Sequence, residues 1–311
     1  MENLILSFNV VFPLFLLMAA GYLTRRLGLY DDRALRTMNN LVFRVFLPVL
    51  IFKNVINSSF EHMNINVLLY AALGLLLAFG LAFLVVPLLE KEPRKRGVLI
   101  QGICRSNFVL YGIPVVSSLF GDEGGMVASL LVAVTIPLYN ALSVAALEVH
   151  RGGRVQPQKI LLSIAKNPLI IATVLGLLVL ASGLKFPTVG NTFINDLSKV
   201  ATPLALFLLG GSFEFSAVGK NWKQLLIGVS GKLIWNPLIF VTGAILMGFR
   251  NAELAGLMIV FMAPTAVNSY TMAQQMGGDD ELAGQQVVFS SLFSVVTVFL
   301  WIFVCKQMGL L

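Results

Sequence analysis

The sequence predicts an all-α integral membrane protein with ten transmembrane helices, arranged as two inverted five-helix repeats in which helices four and nine are broken and cross. The prediction rests on an apolar composition, ten apolar runs of spanning length, and residues that recur at one fixed offset. Of the 311 residues, 57% are hydrophobic and only 12% are charged, whereas soluble domains are about a quarter charged. A soluble globule this poor in charge could not cover its own surface, so a bilayer is expected around it.

Ten apolar runs approach the roughly 20 residues that cross a bilayer as a helix. The runs are continuous rather than alternating, which favours helices over a β-barrel. The first run follows only Glu2 and no basic segment, so we interpret it as a retained helix and not a signal peptide. The runs are 5–24, 37–56, 65–89, 97–119 and 126–148 in the first half, and 159–183, 197–216, 222–248, 251–275 and 282–305 in the second.

The loop charges predict the orientation. Loops after the odd-numbered helices hold thirteen Lys and Arg residues and those on the other side hold five. Since cytoplasmic loops carry the excess of basic residues, both termini are expected outside the cell. The same rule accounts for the net charge of +7, so nucleic-acid binding is not expected.

The two halves of the sequence align with each other. Four residue pairs share an offset of 155, and an odd number of helices per half would invert the second half in the membrane. Inverted repeats are typical of secondary transporters, whose substrates bind where broken helices meet near the midplane. An inert, duplicated scaffold is the less favoured reading. The matched pairs are Pro13 with Pro168, Gly21 with Gly176, Asn40 with Asn195 and Pro48 with Pro203.

Helices four and nine each carry a proline, an asparagine and hydroxyl residues near mid-span. Because proline removes a backbone donor and clashes with the preceding turn, both helices are expected to kink or break, and the freed groups need polar partners. Asn140 of helix five is a third polar position, for which an interhelical hydrogen bond is an equal alternative. The candidate substrate-binding residues are Arg105, Ser106, Asn107, Tyr111, Gly112, Pro114, Asn140, Pro264, Thr265, Asn268 and Ser269.

Intramembrane charge predicts the sign of the ligand. Arg105 and Lys232 lie deep inside predicted helices, while no Asp or Glu lies near a helix centre. A charge at the bilayer centre costs about 3 kcal/mol, so such residues are candidates for function. Lys232 is a secondary candidate, since it could instead pair with polar groups near Asn236. Buried cations without matching acidic side chains therefore favour an anionic ligand.

Few residues could support metal or acid–base chemistry. The chain has two histidines, His62 and His150, both in predicted loops, and two dispersed cysteines, Cys104 and Cys305. No zinc or haem ligand set, paired carboxylates or nucleophile–base set is present in the sequence. We therefore expect neither a cofactor nor a bound metal, and no enzyme.

The chain resembles the auxin efflux carrier family, whose bacterial members are mostly described as malonate or malate carriers. The resemblance covers nearly the whole chain. The motifs that carry it are Leu47-Pro48-x-Leu50-x-Phe52, Arg105-Ser106-Asn107-x4-Gly112-x-Pro114, Pro137-x-Tyr139-Asn140 and Pro264-x3-Asn268-Ser269.

The resemblance implies a homodimer with an elevator mechanism. Segments 1–57 and 159–217 would form the fixed scaffold, and 65–148 and 222–306 would form the mobile transport part. Substrate would lie at the crossing, near Asn107, Asn140 and Asn268. Unlike the plant members, this chain has only about ten residues between its halves, so regulation through a long loop is not expected.

The sequence therefore predicts a carrier of small organic anions in the cell membrane. Arg105 could take a second carboxylate, which favours dicarboxylates over auxin. Export would need no coupling, whereas import would need protons or sodium. The alternatives are an auxin-like monocarboxylate exporter and, from another class, an anion channel or membrane sensor.

Overall fold

The structure, a computed structural model, describes residues 2–58, 64–152 and 157–311. His62, for which the sequence predicts a loop, lies outside these ranges. Within them every element is helical, which confirms the predicted all-α class. The α-helices are α1 Glu2–Arg26, α2 Asp32–Leu41, α3 Leu47–Ile56, α4 Ile65–Leu89, α5 Pro93–Cys104, α6 Ile113–Val149, α7 Pro157–Ala165, α8 Pro168–Ser182, α9 Thr188–Ser212, α10 Trp222–Ser230, α11 Asn236–Leu246, α12 Asn251–Met262, α13 Asn268–Met276 and α14 Asp280–Gln307.

Among the described residues, six continuous helical stretches are long and apolar enough to cross a membrane. Their outward faces are apolar: Leu73, Leu77 and Leu84 of α4 are each more than half exposed, whereas Ala71 and Ala78 are buried. Small residues inside and large apolar ones outside are typical of helices surrounded by lipid. The stretches are Asp32–Ile56, Ile65–Leu89, Phe108–Val149, Thr188–Ser212, Trp222–Leu246 and Asp280–Gln307.

Three of these stretches contain a five-residue π-helix, at Val42–Phe46, Phe108–Gly112 and Gly231–Trp235. Each π-helix is followed directly by an α-helix with proline in its first turn. Proline has no N–H to donate and clashes with the carbonyl one turn earlier. The wider π turn accommodates that missing bond without breaking the helix. Pro114 is one of these prolines, so the predicted break does not occur at Pro114 itself.

The predicted boundaries differ from the structure most clearly at three places. No loop separates the predicted fourth and fifth helices, because the chain turns within α6 at Gly121, whose φ of 56° and ψ of −135° suit glycine. The predicted sixth helix is interrupted: α7 ends at Ala165, and Asn167 caps α8 by accepting from the Leu169 N–H at 2.9 Å. The predicted seventh helix begins nine residues early, at Thr188.

Close backbone contacts hold α1 against α9. A Cβ added to Gly21 would lie 1.8 Å from the Phe207 carbonyl oxygen, and one added to Gly210 would lie 1.9 Å from that of Met18. Only glycine permits such an approach, from both sides of the pair. Since α3 packs on α8 and α9 as well, these four helices form one packed group. The interrupted helices α5 and α12 both pack on α6, in a second group.

Candidate functional site

Two interrupted helices meet at one point of the fold. Helix α5 ends at Cys104 and α12 ends at Met262, and the residues that follow each of them run antiparallel as an isolated β-bridge between Ser106 and Thr265. The Asn107 N–H donates to the Pro264 carbonyl at 2.8 Å, and the Ala266 N–H donates to the Arg105 carbonyl at 3.2 Å. We call residues 105–107 and 263–267 the first and second interruptions, and their contact the crossing.

Side chains bind the carbonyl groups that the interruptions free. Thr265 Oγ1 donates to the Gly102 carbonyl at 2.8 Å. The Asn236 amide donates to the carbonyls of Ile103 at 3.3 Å and Phe261 at 3.2 Å. Because a buried carbonyl without a partner is costly in an apolar surrounding, these neutral side chains explain how an unwound backbone is tolerated here.

Arg105 is the cation of the first interruption. Its side chain is 4% exposed, and its guanidinium donates to Asn140 Oδ1 at 2.9 Å and contacts Met272 Sδ at 2.5 Å. Guanidinium has five N–H donors, and no carboxylate pairs with it among the described residues. Arg105 is therefore a buried charge that lacks a counter-ion in the part of the chain that the structure describes.

Asn140 connects this cation to the other packed group. While its oxygen accepts from Arg105, its amide nitrogen lies 3.4 Å from Thr173 Oγ1 on α8. Asn140 is fully buried. The interhelical hydrogen bond expected as an alternative is therefore present, and Asn140 is not among the described residues that line the cavity beside the crossing.

Lys232 lies behind the crossing, in the π-helix Gly231–Trp235. It is fully buried, and its ammonium donates to Ser106 Oγ at 2.5 Å. Ser106 in turn donates to the Val260 carbonyl, which also accepts from Tyr139 at 2.8 Å. The partner of Lys232 is therefore the first interruption and not the polar group at Asn236, and again no carboxylate among the described residues balances it.

A cavity of about 70 Å³ adjoins the crossing. Arg105, Ser106, Asn107 and Asn268 line one side of it. The amide nitrogen of Asn107 is buried and has no hydrogen-bond partner among the described residues. Since a liquid water occupies about 30 Å³, the cavity has room for a few small groups only.

The opposite wall of the cavity belongs to α3 and α9. It carries two polar residues that the sequence analysis missed, Asn54 and Thr202, beside apolar residues such as Leu50 and Ala205. A usable signal was present for both, since each lies close to a proline of the repeat, Asn54 six residues after Pro48 and Thr202 directly before Pro203.

The remaining candidates do not line this cavity. Gly112 packs against Ile259, where a Cβ would lie 2.3 Å from Ile259 Cγ2. Tyr111 is buried, and Pro114 is exposed. Pro264 and Thr265 form the backbone bridge.

Ser269 lies next to Gln101, whose amide donates to the Ser269 carbonyl at 3.1 Å. Ser269 Oγ itself has no partner among the described residues. Within the same residues, no group of three or more His, Cys, Asp or Glu side chains is placed to bind a metal ion.

Three similar proteins each match more than nine-tenths of this chain. A protein named "Putative malonate transporter" from Rhizobium meliloti is 23% identical over 93% of this chain and 93% of its own length. An uncharacterized transporter from Methanocaldococcus jannaschii is 25% identical over 94% of this chain and 97% of its own length. The uncharacterized transporter YfdV of Escherichia coli is 24% identical over 94% of this chain and 96% of its own length.

A family model described as "membrane transport protein" matches residues 6–302. These names describe transporters and not enzymes, in agreement with the absence of a catalytic set in the sequence. The chain therefore belongs to the membrane transport protein family of the auxin efflux carriers, and it is a multi-pass membrane transporter.

Proposed function

We propose that the chain is a secondary carrier of small organic anions, and that Arg105 at the crossing binds a substrate carboxylate. The observation that carries the proposal is the buried guanidinium without a counter-ion among the described residues. Burying a charge is expensive unless something pairs with it. An anionic substrate would supply that pairing during each transport cycle.

The groups around Arg105 suit a carboxylate. Its remaining N–H donors can bind both oxygens of one carboxylate, and the amide nitrogen of Asn107, buried beside the cavity, can donate a further bond. Asn268 adds a neutral polar group on the same wall. The first candidate is malonate, because one relative is named for it, and malate is the second dicarboxylate that we include.

A monocarboxylate such as indole-3-acetate is the second candidate. Among the described residues that line the cavity, Arg105 is the one cation, and the opposite wall is largely apolar at Leu47, Leu50 and Ile51. One carboxylate on Arg105 and an apolar group against that wall would satisfy this geometry. Lys232, behind Ser106, would then act on either substrate through its charge alone.

We propose that transport proceeds by an elevator-type movement of the crossing along α3, α8 and α9. The cavity lies between these two parts, and its volume of about 70 Å³ calls for a rearrangement before a substrate enters. Polar contacts between the parts would have to break and reform, including Asn39 with Thr271 at 2.9 Å and Asn140 with Thr173 at 3.4 Å.

The remaining assignments belong to the same proposal. If the helices are joined across their interruptions, the chain has ten membrane-spanning segments in two inverted repeats. Segments 1–57 and 159–217 are then the scaffold, and segments 65–148 and 222–306 are the transport part. A homodimer in the cell membrane with both termini outside, and proton or sodium coupling for import, complete it.

The experiment is the measurement of substrate-evoked currents from purified protein in liposomes. Malonate, malate and indole-3-acetate are tested with and without sodium and across a pH step. The proteins compared are the wild type, Arg105→Ala and Arg33→Ala, which changes an exposed arginine that does not line the cavity. We expect saturable currents that fall at least tenfold in Arg105→Ala only. Currents that survive Arg105→Ala unchanged would remove this residue from the site, and currents with indole-3-acetate alone would favour the second candidate.

A further inference from the structure

A second cavity lies on the outside of the molecule, and no described residue lines both it and the substrate cavity. It is a cleft of about 540 Å³ between α4 and the continuous helix of α10 and α11. Small residues open it, among them Ala78 and Ala82 on one wall and Gly231 on the other. Its walls are otherwise mainly aliphatic and aromatic, so its interior suits a hydrocarbon chain.

The rim of the cleft faces outward. Val85 of α4 is 47% exposed, and Leu226 and Trp235 on the other wall are 63% and 59% exposed. In a chain that spans a membrane, such a rim meets lipid, so that acyl chains and not water reach the cleft.

One end of the cleft carries positive charge. Lys223 precedes the lining residues Leu226 and Ile227 by three and four positions, which places it on the same helix face. Its ammonium lies 5.7 Å from the ring centroid of the exposed Trp222. Lys91 follows the end of α4 on the opposite wall. Tryptophan and lysine at the end of a membrane helix are typical of the headgroup region.

The acidic groups at this end are already engaged. The carboxylate of Glu90 accepts from Gln224 at 2.6 Å and from the Glu92 N–H at 2.8 Å, and Glu92 pairs with Lys95 at 3.0 Å. Burial alone would raise the pKa of Glu90, but the hydrogen bonds from the Glu92 N–H, Gln224 and the Lys91 N–H, together with the charge of Lys95, lower the pKa overall, so the group stays ionised and bound. Lys223 has no carboxylate partner among the described residues.

We propose that this cleft binds one anionic phospholipid, with an acyl chain between α4 and α10–α11 and the phosphate at Lys223 and Lys91. The predicted orientation places these lysines on the cytoplasmic side, where anionic lipids attract basic residues. The floor of the cleft includes Ile103 and Asn236, and the Asn236 amide holds two carbonyls at the crossing. The bound chain therefore contacts the groups that support the substrate site.

The test compares lipids on the purified protein in detergent and needs no transport assay. Phosphatidylglycerol and phosphatidylcholine with the same acyl chains are added separately, while the melting temperature and the lipid retained in native mass spectra are measured. We expect phosphatidylglycerol to raise the melting temperature by several degrees more than phosphatidylcholine, with one molecule retained per chain.

Two variants separate the headgroup from the acyl chain. Lys223→Gln should reduce the difference between the two lipids, and Ala82→Phe, which fills the cleft, should remove binding of both. Arg33→Gln, an exposed charge elsewhere, should change neither; Ala78→Leu repeats the filling if Ala82→Phe does not fold. Three results would overturn the proposal. The two lipids could have equal effects on the wild type, or the lipid effect could be unchanged in both filling variants. The third is a dimer that covers the cleft and retains no lipid.

Discussion

The two interruptions at the crossing are alike in backbone but differ in charge. Each supplies one N–H and one carbonyl to the same bridge, through Asn107 and Arg105 on one side and Ala266 and Pro264 on the other. The first interruption contains Arg105, and its Ser106 accepts from Lys232. The second interruption, 263–267, contains no ionisable side chain. The bridge therefore needs no charge, and the cations are additional to it.

This difference shows that the groups needed to fold the crossing are not the same as the charged groups beside it. An intramembrane cation costs about 3 kcal/mol or more, and neutral groups such as Thr265 and Asn236 already bind the freed carbonyls. A crossing that served only to hold the helices together could be neutral on both sides. The charged side of the crossing is thus the place where function and stability can be changed independently.

The largest effect is expected from making the neutral side acidic. Asn268→Asp adds a carboxylate to the cavity that Arg105 lines. This carboxylate would give the guanidinium an internal counter-ion and repel an anionic substrate, so transport should fall at least tenfold, as in Arg105→Ala. Substrate-evoked currents and a binding titration measure the loss.

Asn268→Ala is the matched control, because it removes the same amide without adding charge. It should cost severalfold at most, in line with the loss of one neutral hydrogen bond, about 1 kcal/mol. If the alanine and aspartate variants are equally impaired, the loss of transport comes from removal of the amide and not from the added charge.

A smaller effect on transport, with an unusual effect on stability, is expected for Lys232→Met. Methionine keeps much of the volume and removes a buried charge whose one described hydrogen bond goes to Ser106. Because replacement of buried charges by apolar groups is often neutral or stabilising, the melting temperature should stay equal or rise. Transport of every anion should fall severalfold, since the positive potential behind the crossing is lost.

Lys232→Arg, which keeps the charge, is the companion variant and should retain more transport than Lys232→Met. A large drop in melting temperature for Lys232→Met would show instead that the ammonium is a structural donor. Both variants are compared by thermal unfolding in detergent and by flux at saturating substrate.

The sequence contains enough information to predict the place of the crossing. The helical class follows from the apolar composition. The two interruptions follow from the polar residues next to Pro264 and after Cys104, because unpaired backbone groups in an apolar surrounding need polar partners. The depth of Arg105 in a predicted helix and the position of Asn107 at the predicted break indicate these two residues, and both line the cavity.

The parts that could not be predicted depend on packing between distant segments. Asn54 and Thr202 reach the cavity only because α3 and α9 pack across it, and the contact of Asn140 with Thr173 joins residues 33 positions apart. The sequence predicts a break at Pro114, but a π-helix compensates for the hydrogen bond that this proline cannot make. The local sequence signals a proline irregularity without showing which form the helix adopts.

The smallest effect on transport is expected from Thr265→Val, which tests the neutral side of the comparison. The change keeps the shape of the side chain and removes the 2.8 Å hydrogen bond to the Gly102 carbonyl. The loss should destabilise the protein by about 1–2 kcal/mol, because that carbonyl lies where an interruption has removed helical partners. Thermal unfolding measures this cost.

Thr135→Val is the matched control, since Thr135 is equally buried but donates only to the Leu131 carbonyl one turn earlier in its own helix. A carbonyl inside a continuous helix keeps its backbone donor, so this variant should be nearly neutral. For Thr265→Val the half-saturating concentrations of all anions should stay unchanged while the folded fraction falls. A selective change in the affinity for one anion would instead place Thr265 in contact with substrate, and the neutral side of the crossing would then share in recognition.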